Sequence, residues 1–424
     1  MNRLCATSLC AASLFGATLM APPALAADPA AVSVTYADIA AAGYGDSLAL
    51  ATALQQAVTD FIAAPSDAGL QAARAAWIAS RVPYMQTEVY RFGNPIVDDW
   101  EGRVNAWPLD EGLIDYVDAS YAQTEDNTLA TLNIVATPEF TLSGTTIDAL
   151  SITPALIADT LQEADGIEAN VASGYHAVEF MLWGQDLNGT GPGAGARPFT
   201  DYLQDAGCTN GNCDRRAAYL RASTDLLVTD LAEMAAAWAP DGAARVAVLA
   251  DPQATLLAML TGMGSLSYGE LAGQRMRLGL MLNDPEEEHD CFSDNTHNSH
   301  YYDGLGIQNV YLGHYTRIDG SVVSGASLAE LVASADPAVD KQLTAELSAT
   351  VSALAALKAK AEAGMPFDQM IAPGNAEGEA LVMGGVNALI TQTASIERAV
   401  AALGLSKIEL EGSDSLDNPG AVFQ

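Results

Sequence analysis

The sequence predicts an all-α protein built from two helical bundles. Three observations support this fold class. Apolar residues recur at helical spacing along most of the chain, several of these runs begin with an N-cap residue followed by proline, and strand patterns are rare. Long amphipathic helices joined by short connections pack best as antiparallel bundles. We therefore expect two four-helix-bundle domains packed against each other.

Apolar stripes and helix-start signals define the individual helices. The clearest stripe steps by four and three residues through Val382, Val386, Leu389, Thr393, Ile396, Val400 and Leu403. It places one apolar face on one helix, and Gly404 is a natural stop. A second stripe runs over 343–354. Two further amphipathic runs cover 54–61 and 70–84. Start signals, each an N-cap residue followed by proline, stand at Thr153-Pro154, Asp251-Pro252 and Asp336-Pro337.

The glycine-rich loop 187–198 is the expected boundary between the domains. It contains four glycines in alternation with other residues but lacks the Gly-Lys-Ser/Thr end of a phosphate-binding loop. We expect an N-terminal bundle over 27–190 and a C-terminal bundle over 199–424. The Thr-rich stretch 131–152 fits either a small hairpin or an ordered irregular insertion. Small residues over 262–269 allow helices to approach closely, which predicts that the region 264–277 faces the His176 helix across the interface of the two halves.

Charge and the N-terminus restrict the classes of partner. Acidic residues number 53 against 18 basic ones, a net charge of -35. Nucleic-acid binding is therefore not expected, because phosphate neutralisation needs clustered Lys and Arg. Residues 1–26 have the charged, apolar and small-residue regions of a signal peptide, which predicts export to the periplasm. We expect no membrane span in the mature chain.

Three cysteines follow the predicted signal peptide. Cys208 and Cys213 flank a short Asn-Gly loop, and an oxidising compartment favours a disulfide between them. A zinc site is the weaker alternative, since it needs two more nearby ligands. Cys291 is left over and is expected to be a buried thiol.

Two segments carry candidate metal ligands. In the first, His176 and Glu179 are three residues apart and share one helix face, so both can reach one ion. The alternative is a histidine and a glutamate bonded to each other inside a core. The second segment, 286–303, is rich in carboxylates and imidazoles, including His289, His297 and His300. It is either a rival metal site or a polar connection that caps helices.

The first segment, Gly174-Tyr175-His176-Ala177-Val178-Glu179, resembles the Gly-x-His-x-x-Glu signature of the imelysin family, also known as insulin-cleaving membrane protease-like or iron-regulated proteins. Segments 81–95, 105–116, 264–277 and 286–303 resemble the same family. The resemblance implies two four-helix bundles with the signature near their interface. It also implies a periplasmic or outer-envelope role in iron uptake, with an ion or small chelate and an envelope uptake protein as partners.

From these motifs we predict an iron or zinc ion held by His176 and Glu179, with Glu88 and then Asp110 as further ligands. The competing roles are a partner of Arg81 or Arg91 for Glu88 and a helix N-cap for Asp110. Supporting positions around the ion are Arg81, Glu111, Glu270, Arg275, His289, His297 and His300.

Two further functions are alternatives to metal binding for uptake. The family name implies a metallopeptidase, which would use the His176 and Glu179 site, although the His-Glu-x-x-His pattern of zinc peptidases is missing. A pure interaction scaffold would bind no metal.

Overall fold

The computed structural model describes residues 28–121 and 127–423. The predicted signal peptide, 1–26, lies outside the described residues. Helices before the glycine-rich loop are α1 Pro29–Ala63, α2 Asp67–Met85, α3 Pro95–Glu101, α4 Glu111–Ile114, α5 Pro154–Leu156 and α6 Gly174–Trp183. Those after it are α7 Cys213–Ala237, α8 Ala243–Ala250, α9 Pro252–Ser265, α10 Leu278–Leu282, α11 Thr296–Leu312, α12 Leu328–Ala335, α13 Pro337–Glu362, α14 Phe367–Met370, α15 Ala376–Ala402 and α16 Asp414–Asp417.

Short 3₁₀ turns, π-helical segments and two hairpins complete the fold. The 3₁₀ turns are Glu88–Tyr90, Ala164–Gly166, Phe199–Tyr202, Pro285–Glu287 and Ala421–Phe423, and the π segments are Ile157–Leu161 and Leu266–Arg277. The hairpins pair β1 Glu139–Leu142 with β2 Thr145–Asp148, and β3 His314–Thr316 with β4 Val322–Ser324, both antiparallel. The all-α prediction is confirmed, and the Thr-rich stretch does hold a hairpin.

The predicted helix starts are confirmed by their caps. The side chains of Thr153, Asp251 and Asp336 each accept hydrogen bonds from backbone N–H groups in the first turn of the following helix. Each of these helices has proline in its first turn, where the missing N–H costs nothing. At the other end of α15, Gly404 takes a positive φ of 66° and ends the helix as expected.

Helices from both sides of the glycine-rich loop share one continuous apolar core. Before the loop, α1 packs against α2, and α2 against α6; after it, α13 packs against α11 and α15. Contacts of α2 with α11, and of α1 with α9, join the two parts. Helix α7 follows the loop but packs against α1 and α6. The division into 27–190 and 199–424 stays a prediction.

The π-helical segment Leu266–Arg277 continues α9 for 12 residues. Long π-helices are rare, and short ones cluster at functional sites. The small residues of 262–269 allow backbone carbonyl groups of other segments to approach closely. A Cβ atom on Gly262 would lie 2.2 Å from the carbonyl oxygen of Val89, and one on Gly269 would lie 2.5 Å from that of Glu411. The end of α9 thereby packs closely on the Glu88–Tyr90 turn, and the π segment packs closely on the C-terminal stretch.

Within the described ranges, no single helix is long and apolar enough to cross a membrane. One pair, Ala243–Ala250 with Pro252–Leu282, passes that test together, but it is bent by 112°.

A disulfide joins Cys208 and Cys213 immediately before α7, as predicted. Cys291 is a free, half-buried thiol, and burial raises its pKa well above the ordinary value.

A buried ion-pair cluster fixes α7 against the N-terminal part. The Asp115 carboxylate accepts from Arg197 Nη1 at 2.6 Å and from Arg216 Nε at 2.6 Å. All three side chains are inaccessible to solvent. Burial alone would raise the pKa of Asp115, but the two guanidinium groups outweigh it and hold that pKa below its ordinary value.

Replacing Asp115 by Asn should lower the free energy of unfolding at pH 7 by about 3–5 kcal/mol, because two buried arginines lose their partner. Since the folded pKa is lowered, this stabilisation is complete above the unfolded pKa of about 3.9 and disappears as the pH falls through the folded value. Urea titrations of both proteins at pH 7 and at pH 3 should show the difference shrinking.

The matched control is Asp98→Asn, which breaks the exposed pair with Arg91. It should cost less than about 1 kcal/mol. Equal losses for the two variants would contradict the role given to Asp115.

Candidate functional site

Gly174 positions the start of α6. Its φ is +81°, a conformation that side-chain-bearing residues rarely adopt, and a Cβ atom there would lie 2.4 Å from the Val104 carbonyl oxygen. The same carbonyl accepts from the backbone N–H of Tyr175 at 2.8 Å. Trp77 Nε1 donates to the Tyr175 carbonyl at 2.9 Å. These contacts fix the backbone of Tyr175, the residue that immediately precedes His176.

His176 and Glu179 form a buried pair on one face of α6. His176 Nδ1 lies 3.1 Å from Glu179 Oε2. The other oxygen, Glu179 Oε1, accepts from the backbone N–H and the hydroxyl of Ser293 at 3.0 and 2.6 Å. When Glu179 is ionised it accepts a hydrogen bond from Nδ1, which leaves the lone pair on Nε2. No described residue hydrogen-bonds to His176 Nε2, which is buried.

His289 and Asp290 approach His176 from the C-terminal half. The imidazole rings of His176 and His289 are 4.9 Å apart, centroid to centroid. One ligand atom from each of His176, His289 and Asp290 can be chosen so that all lie within 4.8 Å of one another. We call these three residues the histidine cluster. His289 Nε2 is likewise buried and has no hydrogen-bond partner in the described part of the chain.

Arg81 lies beside the histidine cluster. Its Nη2 donates to Asp290 Oδ1 at 2.8 Å and lies 3.3 Å from His289 Nδ1. Asp290 Oδ2 accepts from Asn295 and Ser299 at 2.8 and 2.6 Å. Arg81 therefore balances the negative charge of Asp290 and fixes the orientation of the 289–290 segment.

Burial keeps both imidazoles neutral. Desolvation, reinforced by the positive charge of Arg81, lowers the pKa of His176 to about 3. Desolvation also lowers the pKa of His289 well below its ordinary value. Burial raises the pKa of Glu179. Burial alone would raise the pKa of Asp290, but Arg81 together with the hydrogen bonds from Ser299 and Asn295 outweighs it and lowers that pKa. The cluster thus contains two neutral nitrogen donors and an ionised carboxylate.

A second buried ion-pair network lies behind the cluster, centred on Arg275. Its guanidinium contacts Glu88 at 2.9 Å, Asp303 at 3.0 Å and Glu270 at 2.8 Å. Asn105 links this network to Arg81, since it donates to Glu88 at 3.2 Å and accepts from Arg81 at 2.7 Å.

A cleft of about 610 Å³ opens between the halves next to both networks. Its lining includes the buried Arg275 and His289 together with Glu101, Trp107 and Glu270. Burial raises the pKa of Glu101 to about 7. The cleft gives a mostly acidic approach to His289.

The structure brings together only part of the predicted ligand set. His176, Glu179, Arg81 and His289 meet at the cluster, and Glu88 is instead paired with Arg275. Asp110 caps α4 by accepting from the Leu113 N–H at 3.2 Å, and it also holds Asn127.

The remaining predicted residues have other neighbours. His300 packs edge-on against Phe367 with ring centroids 4.8 Å apart. His297 contacts the Asn298 amide at 3.1 Å. Burial raises the pKa of Glu111 to about 8.

Asp290 was absent from the predicted ligand set, although it belongs to segment 286–303. The sequence could not identify Asp290 because it does not show which carboxylate pairs with Arg81. A buried arginine requires a carboxylate, but the sequence does not say which one supplies it. Ser293 and Asn105, which orient Glu179 and join the two networks, carry no sequence signal of their own.

The fold and site together define an all-helical protein with a buried histidine–carboxylate cluster between its halves. Residues 40–396 match the family model described as Imelysin. Since this match covers most of the chain, the protein belongs to the imelysin family.

Solved structures of related proteins show the same fold. A protein described as an iron-regulated protein A precursor, from Parabacteroides distasonis, has a TM-score of 0.63 at 20% identity and covers 88% of this chain and 95% of its own. An imelysin-like protein from Psychrobacter arcticum has a TM-score of 0.55 at 16% identity, over 92% and 100% of the two chains.

One relative, iron-regulated protein A of Synechococcus elongatus, is 37% identical over 78 residues. This stretch is 18% of the present chain and 22% of the relative, so less than a quarter of the relative's length is matched.

The structure predicts that Gly174→Ala destabilises the site. The positive φ costs about 1–3 kcal/mol for a non-glycine residue, and the clash with the Val104 carbonyl adds to it. Thermal or urea unfolding measures the loss. Gly45→Ala in α1 is the matched control, because a Cβ there meets nothing within 4 Å. It should stabilise by about 0.4–1 kcal/mol. A neutral Gly174→Ala would contradict the role of this glycine.

Proposed function

We propose that the protein binds an iron ion at the histidine cluster and serves iron uptake in the periplasm. One observation carries the proposal: two buried imidazoles whose Nε2 atoms have no partner among the described residues flank a carboxylate. Buried polar atoms are normally satisfied, so two orphaned imidazole nitrogens in one buried group of residues favour a missing ligand.

The donor set fits a borderline cation. Two imidazole nitrogens and one carboxylate oxygen suit iron or zinc. Glu179 then acts from outside the cluster, because its contact with Nδ1 fixes the tautomer and orientation of His176. His289 needs one adjustment: with its lone pair on Nε2 its proton is on Nδ1, so the contact of 3.3 Å with Arg81 must open. When bound, the ion would accept the lone pairs of the two neutral imidazoles.

The cellular role is supported by the relatives and by the acidity of the chain. Two relatives have names that describe iron-regulated proteins, and residues 1–26 have the pattern of an export signal. An acidic protein with an acidic cleft concentrates cations near the site. We propose a free ion or small chelate as the ligand, delivered to or received from an envelope uptake protein.

Removing either imidazole should weaken specific metal binding. We expect His176→Ala and His289→Ala to weaken Fe²⁺ or Zn²⁺ binding at least as much as the roughly 10-fold loss that outer-shell substitutions cause. Titration calorimetry and elemental analysis measure it, and circular dichroism checks the helices. His314→Ala, on an exposed strand position, is the matched control. Unchanged binding in both cluster variants would disprove the proposed site.

The free energy of unfolding of the Arg81→Gln variant should depend on whether metal is present. Without metal the variant should lose about 3–5 kcal/mol of unfolding free energy, since Asp290 is left buried and unpaired. Added metal should recover part of this loss, because the ion replaces the missing positive charge beside Asp290. Arg91→Gln is the control, as Arg91 is partly exposed. A variant that unfolds identically with and without metal would argue against an ion next to Asp290.

A further inference from the structure

A cavity of about 390 Å³ lies at the C-terminal end of α6, apart from the histidine cluster. Trp183, the last residue of α6, and Gly184 line it, whereas His176 is in the first turn of the same helix. Tyr116 and residues of the glycine-rich loop 187–198 complete the lining. We call it the Arg197 cavity, after the arginine in its lining.

One edge of the Arg197 guanidinium has no partner. Nη1 lies 2.6 Å from Asp115 and 3.6 Å from Asp201. Nε and Nη2 are buried and have no hydrogen-bond partner among the described residues. The ring centroids of Tyr116 and Phe180 lie 4.8 and 5.2 Å from Cζ, but a ring face is only a weak acceptor for an N–H group. Because buried donors are normally satisfied, two orphaned donors on one guanidinium favour a missing ligand.

The neighbouring Arg216 shows what this edge can hold. Its Nε donates to Asp115 Oδ2 at 2.6 Å and its Nη2 to Oδ1 of the same carboxylate at 3.0 Å. Such a fork of two N–H groups matches the two oxygens of a carboxylate. Arg197 contacts Asp115 through Nη1 alone. The same Nε and Nη2 edge of Arg197 is therefore suited to a second carboxylate.

The unpartnered edge lies close to the cavity wall. A Cβ atom built on Gly184 would be 3.5 Å from Arg197 Nε, and both residues line the cavity. Since the two nitrogens are covered, a ligand reaches them only when part of the wall moves. Leu187 and Ala194 of the glycine-rich loop belong to that wall, and surface loops open at lower free energy than packed helices.

Charges beside the cavity favour an anion, in contrast to the acidic chain as a whole. Arg74 lies 5.3 Å from the Trp183 ring, and its described hydrogen bonds go to backbone carbonyl oxygens. In the described ranges, no ion pair joins it to a carboxylate. Asp118 is the acidic residue of the lining, but it is exposed to solvent, which screens its charge. Glu111 is mostly protonated at pH 7, because burial raises its pKa to about 8.

We infer that the Arg197 cavity binds a small carboxylic acid with an apolar or aromatic body, whose carboxylate pairs with Nε and Nη2 of Arg197. Apolar side chains supply much of the lining: Val117, Trp183, Leu187, Ala194, Ala196 and Pro198. Apolar walls around a charged group that fixes orientation are typical of small-molecule sites. They disfavour phosphate or sulfate, whose further oxygens would be desolvated without partners.

The test is binding of phenylacetate to the full mature chain. We expect it to raise the melting temperature and to give a saturable heat in titration calorimetry. Phenylacetamide has the same shape without the charge and should bind at least about 10-fold more weakly. N-acetylphenylalanine offers the same groups as the last residue of a peptide. Tighter binding of phenylacetate supports a free acid as the ligand, and tighter binding of N-acetylphenylalanine supports a peptide terminus at the same site.

Leu187→Glu tests the location without disturbing the buried ion pairs. Leu187 is 67% exposed, so the variant should fold, but the new carboxylate should repel the ligand and weaken binding at least about 10-fold. The matched control is Leu150→Glu, because Leu150 is 71% exposed and lies outside the lining. It should bind as the unmodified protein does. Arg197→Lys keeps the charge but loses the fork, and it should also weaken binding; if it does not fold, Leu187→Glu decides.

The result is independent of the proposed iron site, since His176→Ala should keep its phenylacetate affinity. The inference is overturned if phenylacetate and N-acetylphenylalanine both leave the melting temperature unchanged and give no saturable heat. It is also overturned if phenylacetamide binds equally well, or if Leu187→Glu binds normally. Loss of phenylacetate binding in His176→Ala would contradict it too, because the acid would then be bound at the histidine cluster.

Discussion

The burial of two arginines between the halves is the constraint on which the rest of the site depends. The desolvation penalty of a buried guanidinium is offset only when carboxylates pair with it in good geometry. Arg81 finds Asp290 across the interface, and Arg275 holds Glu88 across the same interface in the opposite direction. Because each pair joins residues from both halves, the halves can meet in only a narrow range of orientations.

That constraint explains why the histidines converge. His289 precedes Asp290 in the chain, so the ion pair with Arg81 also brings the His289 ring to 4.9 Å from His176. The His176 ring is held independently by Glu179 and, through it, by Ser293. The cluster is therefore positioned by charged and polar contacts around it, and its own Nε2 atoms have no hydrogen-bond partner among the described residues. A preorganised site has this property, since its ligands are oriented before anything binds.

The sequence predicts local structure well and the site only in part. Helix starts such as Asp336-Pro337 and stops such as Gly404 are properties of a few neighbouring residues, so they could be predicted. The π geometry of Leu266–Arg277 could not, because apolar spacing does not separate i+4 from i+5 bonding. The second hairpin was missed because its strands have three residues each.

The site itself shows the same limit. Spacing on one helix predicted that His176 and Glu179 share a face, and they do. The carboxylate of the cluster, Asp290, could not be predicted. Its place depends on which carboxylate reaches Arg81, and the packing of the two halves decides this. The His176 segment and the segment 286–303, which the sequence presented as rival sites, lie next to each other in the structure. Glu88 pairs instead with Arg275, and Asp110 caps the N-terminus of α4. Arginines and helix N-termini bind the same carboxylates that a metal ion would.

Charge balance bears on the kind of ion that the histidine cluster can hold. The whole chain has 18 lysines and arginines against 53 acidic residues. Four of those arginines, Arg81, Arg197, Arg216 and Arg275, are buried and committed to internal pairs. Few cations remain for other buried acids, and a chain so short of them gains most where a bound ion supplies the charge. At the histidine cluster Arg81 already balances Asp290, so a cation there must be held mainly by neutral nitrogens. Two imidazoles and one paired carboxylate therefore favour a borderline ion over a hard one.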